Sequence, residues 1–276
     1  MIQDIYPSKL HNEFINCTPE DGDAVLVFDK DGKMLVADDG RKITFTKRED
    51  VPESRTVYLF SVDETKYFLS LEDTQIDKPG FSYMPIRQIR DSFAGNGLFA
   101  AFTAYHLWRW YNDNRFCGCC GSELAPDDKE RALRCQSCGH IEYPRINPAV
   151  IVGVIHDDSI IITRYREGYG HNALIAGFTE IGETLEETVA REVFEEAGIK
   201  VRNIRYYKSQ PWGMAQDILA GFFCEADGDC DIHMDESELK YAMWTKREDV
   251  VLQPNDLSLT NEMMRLFKEN RLEPLS

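Results

Sequence analysis

Hydrophobic residues recur at a helical period between residues 184 and 198, where apolar residues stand four positions apart. At about 100° per residue, such residues share one face of a helix. Thr184 is suited to cap the first turn with Glu187 as its capping-box partner, and Gly198 is suited to the position just after the last turn. The pattern therefore predicts a helix with both ends marked.

Elsewhere, short apolar runs bounded by turn residues predict strands. The amino-terminal pattern predicts strands at 24–28 and 33–37, joined as a hairpin, further strands at 57–61 and 66–70, and a helix over 98–108. The carboxyl-terminal pattern predicts a hairpin of 149–155 and 159–163, strands at 201–208, 218–225 and 242–244, and a helix over about 259–269. Residues 209–217 fall between two of these strands, as a loop. This mixed order favours an α+β fold with a sheet sandwiched between helices.

Three glutamates cluster on one face of the predicted helix. Glu192, Glu195 and Glu196 stand at i, i+3 and i+4 beside the apolar stripe. Like charges at these spacings destabilise an isolated helix by roughly 0.2–0.5 kcal/mol per pair, so a positive group is expected there. Hard cations such as Mg²⁺ or Mn²⁺ take carboxylate oxygens and bridge them to substrate phosphates. A solvated acidic face is the alternative.

Two CxxC pairs, separated by fourteen residues, form a second cluster: Cys117, Cys120, Cys135 and Cys138. Four thiolates at this spacing suit one tetrahedral Zn²⁺ ion, and a glycine after each pair permits a tight turn. Because four cysteines leave no open position for water, the zinc is predicted to be structural. Two disulfides are the alternative, which the absence of a secretion signal weakens. We predict an amino-terminal α+β domain at 1–112, a zinc ribbon at 113–145 and a third domain at 146–276.

Composition limits the classes of function. The formal net charge of −17 argues against a broad electrostatic grip on nucleic acid, which relies on Lys and Arg. The first ten residues contain no apolar run, and no uncharged stretch of about 18 residues could span a bilayer. We therefore expect a cytoplasmic protein without membrane insertion.

The glutamates belong to a longer motif. Gly177, Glu183 and the run from Arg191 to Ile199 fit GX5EX7REUXEEXGU, in which U is apolar. This is the Nudix box, and the chain resembles the Nudix hydrolases. The resemblance implies a Nudix α/β/α sandwich with a mixed sheet. It also implies metal-dependent cleavage of a diphosphate linked to another moiety.

The same resemblance gives the box residues their roles. Glu192, Glu195 and Glu196 would ligate the metal, Glu183 would support them, and Arg191 would form an ion pair that orients a glutamate. One further carboxylate is needed from outside the box, and related proteins carry it six residues before a tryptophan. Glu238 has that spacing from Trp244, with Glu236 as its competitor.

The segment after the ribbon indicates which subgroup of the Nudix hydrolases the chain resembles. Tyr143-Pro144-Arg145 and Pro148 join the ribbon to the box as in the NADH pyrophosphatases. That subgroup hydrolyses NADH or NAD⁺ to nicotinamide mononucleotide and AMP, and some members remove NAD caps from RNA. It is typically a homodimer with one zinc per chain, so a dinucleotide substrate and a second copy are the expected partners.

The chain departs from the subgroup downstream. Ser209 to Trp212 match the start of the signature SQPWPFPxS, but Gly-Met-Ala replaces Pro-Phe-Pro and Asp217 replaces the serine. The resemblance places Gln210 and Trp212 in the dinucleotide pocket. It also implies that Phe178 and Tyr143 flank a base, Tyr143 reaching from a partner chain. Ordinary core aromatics are the alternative.

Three other functions stay open at this point. The altered signature makes ADP-ribose or dinucleoside polyphosphates credible substrates. The same site is suited to cleave an NAD cap from RNA. A nucleotide-binding regulator with an idle box is the third, against which the intact glutamates speak.

Overall fold

The computed structural model describes residues 1–38, 40, 42–51, 54–72, 75–166 and 170–272. The chain divides into two compact units. The amino-terminal unit comprises residues 2–145 with 213–216, and the carboxyl-terminal unit comprises Met1, 146–212 and 217–276. The division into three domains stays a prediction. None of the helices in the described ranges is long and apolar enough to cross a membrane.

The amino-terminal unit begins with strands and ends on helices before the cysteine-rich segment. Its elements are β1 Leu10–His11, β2 Ala24–Leu26, β3 Lys33–Asp38, β4 Ile43–Phe45, β5 Thr56–Val62, β6 Thr65–Ser70, β7 Ser82–Pro85, α1 Ile86–Ser92 and α2 Gly95–Asp113, with a 3₁₀ turn at Arg48–Asp50. Two sheets form, in the orders β1-β5-β6-β2 and β4-β3-β7. The predicted strands at 57–61 and 66–70 and the predicted helix are confirmed.

The predicted hairpin of 24–28 and 33–37 is only partly correct. Phe28 and Met34 form an isolated bridge, but β2 pairs in parallel with β6, whereas β3 pairs with β4 and β7. A hydrophobic pattern identifies strands, but the neighbour of each strand depends on packing between distant parts of the chain. The cysteine-rich segment adds a small sheet of β8 Leu124–Pro126, β9 Leu133–Cys135 and β10 Ile141–Glu142.

The carboxyl-terminal unit is built on one mixed sheet. Its elements are β11 Asn147–His156, β12 Ser159–Tyr165, β13 Ile175–Phe178, α3 Leu185–Ala197, β14 Lys200–Trp212, β15 Asp217–Asp227, β16 Leu239–Lys246 and α4 Leu259–Lys268, with a 3₁₀ turn at Arg247–Asp249. The strand order is β14-β15-β11-β12-β16, and β13 pairs with β11. Strands β11 and β15 are parallel, and the other pairs are antiparallel.

One helix covers each face of this sheet. Val189 and Val193 of α3 pack with Val150 and Val152 on one face. On the other face, Met263 and Phe267 of α4 pack with residues that include Ile151. The predicted α+β fold with an α/β/α sandwich is therefore confirmed.

Helix α3 begins and ends where the sequence predicts. The Thr184 hydroxyl accepts a hydrogen bond from the Glu187 amide, and the Glu187 carboxylate accepts one from the Thr184 amide. Gly198 closes the helix with φ of 71°, in the left-handed region that glycine adopts readily. These local signals fix the position of the glutamates that α3 carries.

The expected loop at 209–217 is wrong in part. Ser209 to Trp212 are the end of β14, and Asp217 is the first residue of β15. Trp212 and Asp217 lie opposite each other across the two strands. The sequence pattern missed the extra strand length because Pro211 and the polar residues interrupt the apolar run.

Candidate active site

Arg191, at the middle of α3, binds one glutamate from the loop before the helix and two from its carboxyl-terminal half. Its Nε lies 2.6 Å from Oε1 of Glu183, and its Nη1 lies 2.7 Å from Glu192 and 3.0 Å from Glu195. Its Nη2 donates to the Phe178 carbonyl at 2.9 Å, which ties the helix to the end of β13. The Arg191 guanidinium lowers the pKa of Glu183 to about 2, so this carboxylate is charged at neutral pH. Part of the positive charge expected beside the glutamates is therefore Arg191 itself.

Glu196 is the buried member of the cluster, with 4% of its surface exposed. The hydroxyl of Tyr165 lies 3.3 Å from its Oε1, and the Ala176 backbone also donates to its carboxylate. In the described part of the chain, no hydrogen-bond partner reaches its Oε2, which is buried. Burial, followed by the charge of Glu192, raises the pKa of Glu196 to about 8. A buried carboxylate oxygen of this kind costs free energy unless a cation binds it.

Gly177 lets strand β13 approach Glu192. A methyl group at Gly177 would lie 2.0–2.3 Å from the carboxylate atoms of Glu192, closer than any real contact. The Glu192 carboxylate therefore occupies the space that a Cβ would fill. Its pKa is raised, chiefly by burial, and Arg191 acts in the opposite direction.

Glu238 lies closer to this cluster than its competitor. The negative charge of Glu238 contributes to the raised pKa values of Glu192, Glu196 and Tyr165. The segment that precedes Glu238 is fixed to α3, because the Asp235 amide donates to the Glu196 carbonyl at 3.1 Å. Glu236 holds Arg166 through its backbone carbonyl, at 2.5 Å from Nε. The geometry thus favours Glu238 over Glu236 as the additional carboxylate.

These carboxylates suit a hard divalent cation, because they offer oxygen donors, an unpartnered buried oxygen and a net negative charge. Their oxygens do not all converge on one point. Among the described residues, the four cysteines do converge: their sulfur atoms all lie within 4.8 Å of one another. The carboxylate oxygens do not form such a group in the described ranges.

The cysteines form a preorganised tetrahedral set. The sulfurs of Cys117 and Cys138 are 3.7 Å apart, and those of Cys120 and Cys135 are 3.4 Å apart. Zinc with four bonds of 2.3 Å separates sulfurs by about 3.8 Å, so the cluster fits zinc. Gly121 and Gly139, with φ of 75° and 78°, turn the chain after each pair.

Comparison with known proteins agrees with this geometry. Residues 145–267 match the NUDIX domain, and residues 112–143 match the NADH pyrophosphatase zinc ribbon domain. The chain carries a Nudix domain preceded by a zinc ribbon. Both parts were predicted from the sequence, and both predictions are confirmed.

Two similar proteins are the NAD-capped RNA hydrolase NudC of Enterobacter sp. (strain 638) and that of Escherichia coli (strain K12 / DH10B). Each is 43% identical, over 171 and 173 residues respectively. The matched region covers 61% of this chain and 65% of each relative, just under two thirds of their length. A Nudix hydrolase structure from Nitrosomonas europaea matches with a TM-score of 0.50 at 22% identity. That match covers 57% of this chain and 92% of the other, and it supports the fold alone.

The predicted aromatic residues lie at strand ends or on the surface. In the Nudix domain, Phe178 ends β13 with 51% of its surface exposed, and Trp212 ends β14 partly buried. In the amino-terminal unit, Tyr143 is 53% exposed, and its hydroxyl donates to Glu130 at 3.0 Å. Their contact with a base stays a prediction.

Gln210 has a different environment from the one that the signature suggests. Its side chain is fully buried, donates to the Leu257 carbonyl at 2.8 Å and accepts from the Leu259 amide at 2.7 Å. It therefore anchors the chain that enters α4 to strand β14. Its predicted contact with substrate stays a prediction beside this anchoring role.

Sequence reasoning missed Tyr165 and the burial of Asp217. Tyr165 follows an apolar run, and nothing in that run indicates its contact with Glu196, which is 31 residues away. Asp217 is 6% exposed, has no partner for its buried Oδ1 in the described ranges, and receives a hydrogen bond from Asn147. Burial raises its pKa to about 6. The departure from the signature pointed to Asp217, but not to its burial.

Proposed function

We propose that this chain is a metal-dependent diphosphatase that hydrolyses NADH and NAD⁺ to nicotinamide mononucleotide and AMP. The observation that carries the proposal is the buried Glu196, whose free Oε2 lies in the carboxylate cluster ordered by Arg191. The zinc ribbon that precedes the Nudix domain in the chain supports the choice of subgroup. The names of the relatives, which refer to NAD-capped RNA, support the choice of a dinucleotide.

Glu192, Glu195, Glu196 and Glu238 would hold Mg²⁺ or Mn²⁺. When bound, the metal polarises the diphosphate, lowers the pKa of a bound water and neutralises charge on the leaving phosphate. The chain contributes positioning. Arg191 ties Glu192 and Glu195 to the loop residue Glu183, while Tyr165 holds Oε1 of Glu196 and leaves Oε2 free.

The proposal includes a pocket for the bases and a second copy of the chain. Phe178 and Trp212 would stack on the substrate, and Tyr143 of a homodimer partner would face them. The exposed rings of Phe178 and Tyr143 support this role, since an exposed aromatic ring is available for stacking. We place the enzyme in the cytoplasm, where the cysteines of the structural zinc stay reduced. Light scattering of the purified chain tests the homodimer.

Product analysis tests the activity. The zinc-loaded chain is incubated with NADH, NAD⁺ or ADP-ribose in Mg²⁺ or Mn²⁺, beside the variants Glu195→Gln and Glu186→Gln. Glu186 is the matched control, because it is an exposed glutamate on α3 outside the fixed box positions. We expect AMP and nicotinamide mononucleotide, a loss of at least about 100-fold in Glu195→Gln, and little change in Glu186→Gln.

Two outcomes would contradict the proposal in different ways. Preference for ADP-ribose would mean that Asp217 and the changed residues before it redirect the pocket, so that the reaction class is right and the substrate wrong. Binding of NADH without turnover in either metal would indicate a nucleotide-binding regulator.

NAD-cap removal is the second candidate, and the names of the relatives favour it. A chain with a net charge of −17 offers little general attraction for an RNA backbone. Recognition would then rest on the cap. We expect cleavage of capped RNA no faster than cleavage of free NAD⁺, with little change between 50 and 200 mM salt. A rate on capped RNA that exceeds the rate on NAD⁺ and falls steeply with salt would instead indicate an RNA-specific enzyme.

A further inference from the structure

A thiol, an imidazole and a carboxylate are neighbours in space at one end of the Nudix sheet, with the imidazole between the other two. The Sγ atom of Cys230 is 3.6 Å from Nδ1 of His156. The other ring nitrogen, Nε2, is 3.7 Å from Oδ2 of Asp157. His156 lies six positions along β11 from Val150, which pairs with Gly177 beside the glutamates. At about 3.3 Å per strand residue, the two clusters are about 20 Å apart.

This order of groups favours transfer of the thiol proton. A neutral histidine has one nitrogen that donates and one that accepts. With the proton on Nε2, facing Asp157, Nδ1 is the acceptor that faces the thiol of Cys230. A nucleophile beside a base that a third group orients is the arrangement that activates thiols, because the thiolate is the reactive form.

The pair is held in place by neighbouring structure. His156 is the last residue of β11 and pairs with Ser159 across the turn. Its ring centroid is 5.5 Å from that of Trp244, and Nε1 of Trp244 donates to the Cys230 carbonyl at 2.8 Å. One tryptophan thus contacts the imidazole and fixes the backbone of the cysteine.

A cleft of about 650 Å³ opens beside the pair. This volume lies within the range of about 300–1,000 Å³ that small-molecule pockets have. Charged residues of both signs line it, namely Arg202, Glu225, Asp227 and Arg247. The His156 side chain is 46% exposed and Cys230 is partly exposed, so a small molecule can reach both.

Another cysteine of the same sheet provides the contrast. Cys224 lies on β15 and is fully buried, and burial raises the pKa of its thiol to about 12. A buried, protonated thiol does not react, whereas a partly exposed one beside an imidazole is placed to do so.

We propose that Cys230 is a reactive thiol that undergoes exchange with small zwitterionic disulfides entering this cleft, with His156 as its proton acceptor. The thiol proton moves to Nδ1 of His156, and the Cys230 sulfur attacks one sulfur of the disulfide. The disulfide bond breaks as a new S–S bond to Cys230 forms. The leaving thiolate then takes the proton from His156, so that one disulfide and one thiol yield a mixed disulfide and a free thiol.

Glutathione disulfide serves as the probe on the full-length, zinc-loaded chain. Peptide mass mapping over time gives the rate of modification at Cys230 and at Cys17, which is partly buried in the amino-terminal unit. We expect Cys230 to react at least about tenfold faster than Cys17, and His156→Asn to lower the rate at Cys230 at least about tenfold. His11→Asn, on β1, is the matched control and is expected to change neither rate.

Asp157→Asn is the second variant, and it is expected to leave the fold intact because the Asp157 side chain is exposed. It is expected to slow Cys230 several-fold while the rate at Cys17 and the diphosphatase activity stay unchanged. The proposal is overturned if Cys230 reacts no faster than Cys17. It is also overturned if the Cys230 rate is the same in the wild type, His156→Asn and Asp157→Asn.

Discussion

Glu196 and Asp217 are both buried carboxylates of the Nudix domain, and each has one oxygen without a protein partner within the described ranges. Their surroundings differ. Glu196 lies among other acidic groups, where a divalent cation would satisfy its free oxygen. Asp217 lies at the start of β15. Burial raises its pKa, and the hydrogen bond from the Asn147 side chain acts in the opposite direction. The two residues therefore lead to different predictions.

Tyr165→Phe removes the hydroxyl that holds Glu196. Burial raises the pKa of Tyr165, so this hydroxyl keeps its proton and donates to Oε1. Outer groups that orient a metal ligand are worth roughly 10–100-fold in metal affinity. We expect the Mn²⁺ concentration for half-maximal activity to rise about tenfold, with little change in kcat at saturating metal. Tyr206→Phe, at an exposed ring on β14, is the control, and an unchanged metal dependence in Tyr165→Phe would refute the holding role.

Asp217→Asn tests the buried carboxyl through pH. The pKa is raised from 3.8 to about 6 in the folded chain, so ionising Asp217 destabilises the fold as pH rises through this window. The asparagine variant avoids that cost. We expect its gain in free energy of unfolding over wild type to grow between about pH 4 and about pH 6, to level off above that, and to reach at most about 3 kcal/mol.

Urea denaturation at several pH values, followed by tryptophan fluorescence, measures this gain. Asp249→Asn, at an exposed residue of the 3₁₀ turn, is the control and is expected to show no such pH dependence. A difference between wild type and Asp217→Asn that stays constant from pH 5 to 8 would contradict a raised pKa.

At the scale of elements, the close packing of β13 against α3 positions the carboxylates. Arg191 reaches the Phe178 carbonyl at the end of β13, and Gly177 leaves room for the Glu192 side chain. The loop before α3 is fixed as well, because the Glu180 amide and the Thr188 hydroxyl both donate to Glu183 at 3.0 Å. Strand, loop and helix thus form one support for the charged groups.

Gly177→Ala disturbs this support without removing a charge. The new methyl group would overlap the Glu192 carboxylate, so Glu192 must leave the position in which it accepts a hydrogen bond from Arg191. We expect diphosphatase activity to fall at least about tenfold, with a loss of stability of about 1–3 kcal/mol as for other overpacked sites. Turnover assays and thermal denaturation measure the two effects. Gly170→Ala is the control, since no residue in the described ranges lies within 4 Å of its added methyl group, and equal effects of both variants would refute the packing argument.

At the scale of the whole molecule, two clusters of possible metal ligands, with different chemistry, lie in different units. The thiolate cluster belongs to the amino-terminal unit, and the carboxylate cluster belongs to the carboxyl-terminal unit. Soft sulfur ligands select Zn²⁺, whereas carboxylate oxygens suit Mg²⁺ and Mn²⁺. Loss of one metal is therefore expected to leave the binding residues of the other intact.

Cys135→Ser tests this separation. Removal of one of four thiolates is expected to abolish stoichiometric zinc binding and to unfold the ribbon, because structural zinc contributes about 10–16 kcal/mol in small zinc domains. Cys119→Ser is the matched control, as this exposed cysteine lies in the ribbon but outside the cluster. Zinc analysis is expected to give one ion per chain for Cys119→Ser and for Glu195→Gln. Full zinc content in Cys135→Ser would refute the four-cysteine site.

The sequence by itself determined the features that depend on near neighbours in the chain. The ends of α3, the zinc ribbon and the spacing of the Nudix glutamates follow from capping residues, CxxC pairs and helical period, each of which lies within one short stretch of chain. For the same reason, the hydrophobic pattern identified most strands, although it ended the strand before Trp212 too early. The sandwich followed from the order of these elements.

Only the tertiary structure decided which distant residues meet. The contact between Tyr165 and Glu196 joins positions 31 residues apart, and that between His156 and Cys230 joins positions 74 apart. The parallel pairing of β2 with β6 and the burial of Asp217 likewise depend on strand order and packing. Such contacts leave no periodic signal in the sequence, because they arise only when separate elements pack together.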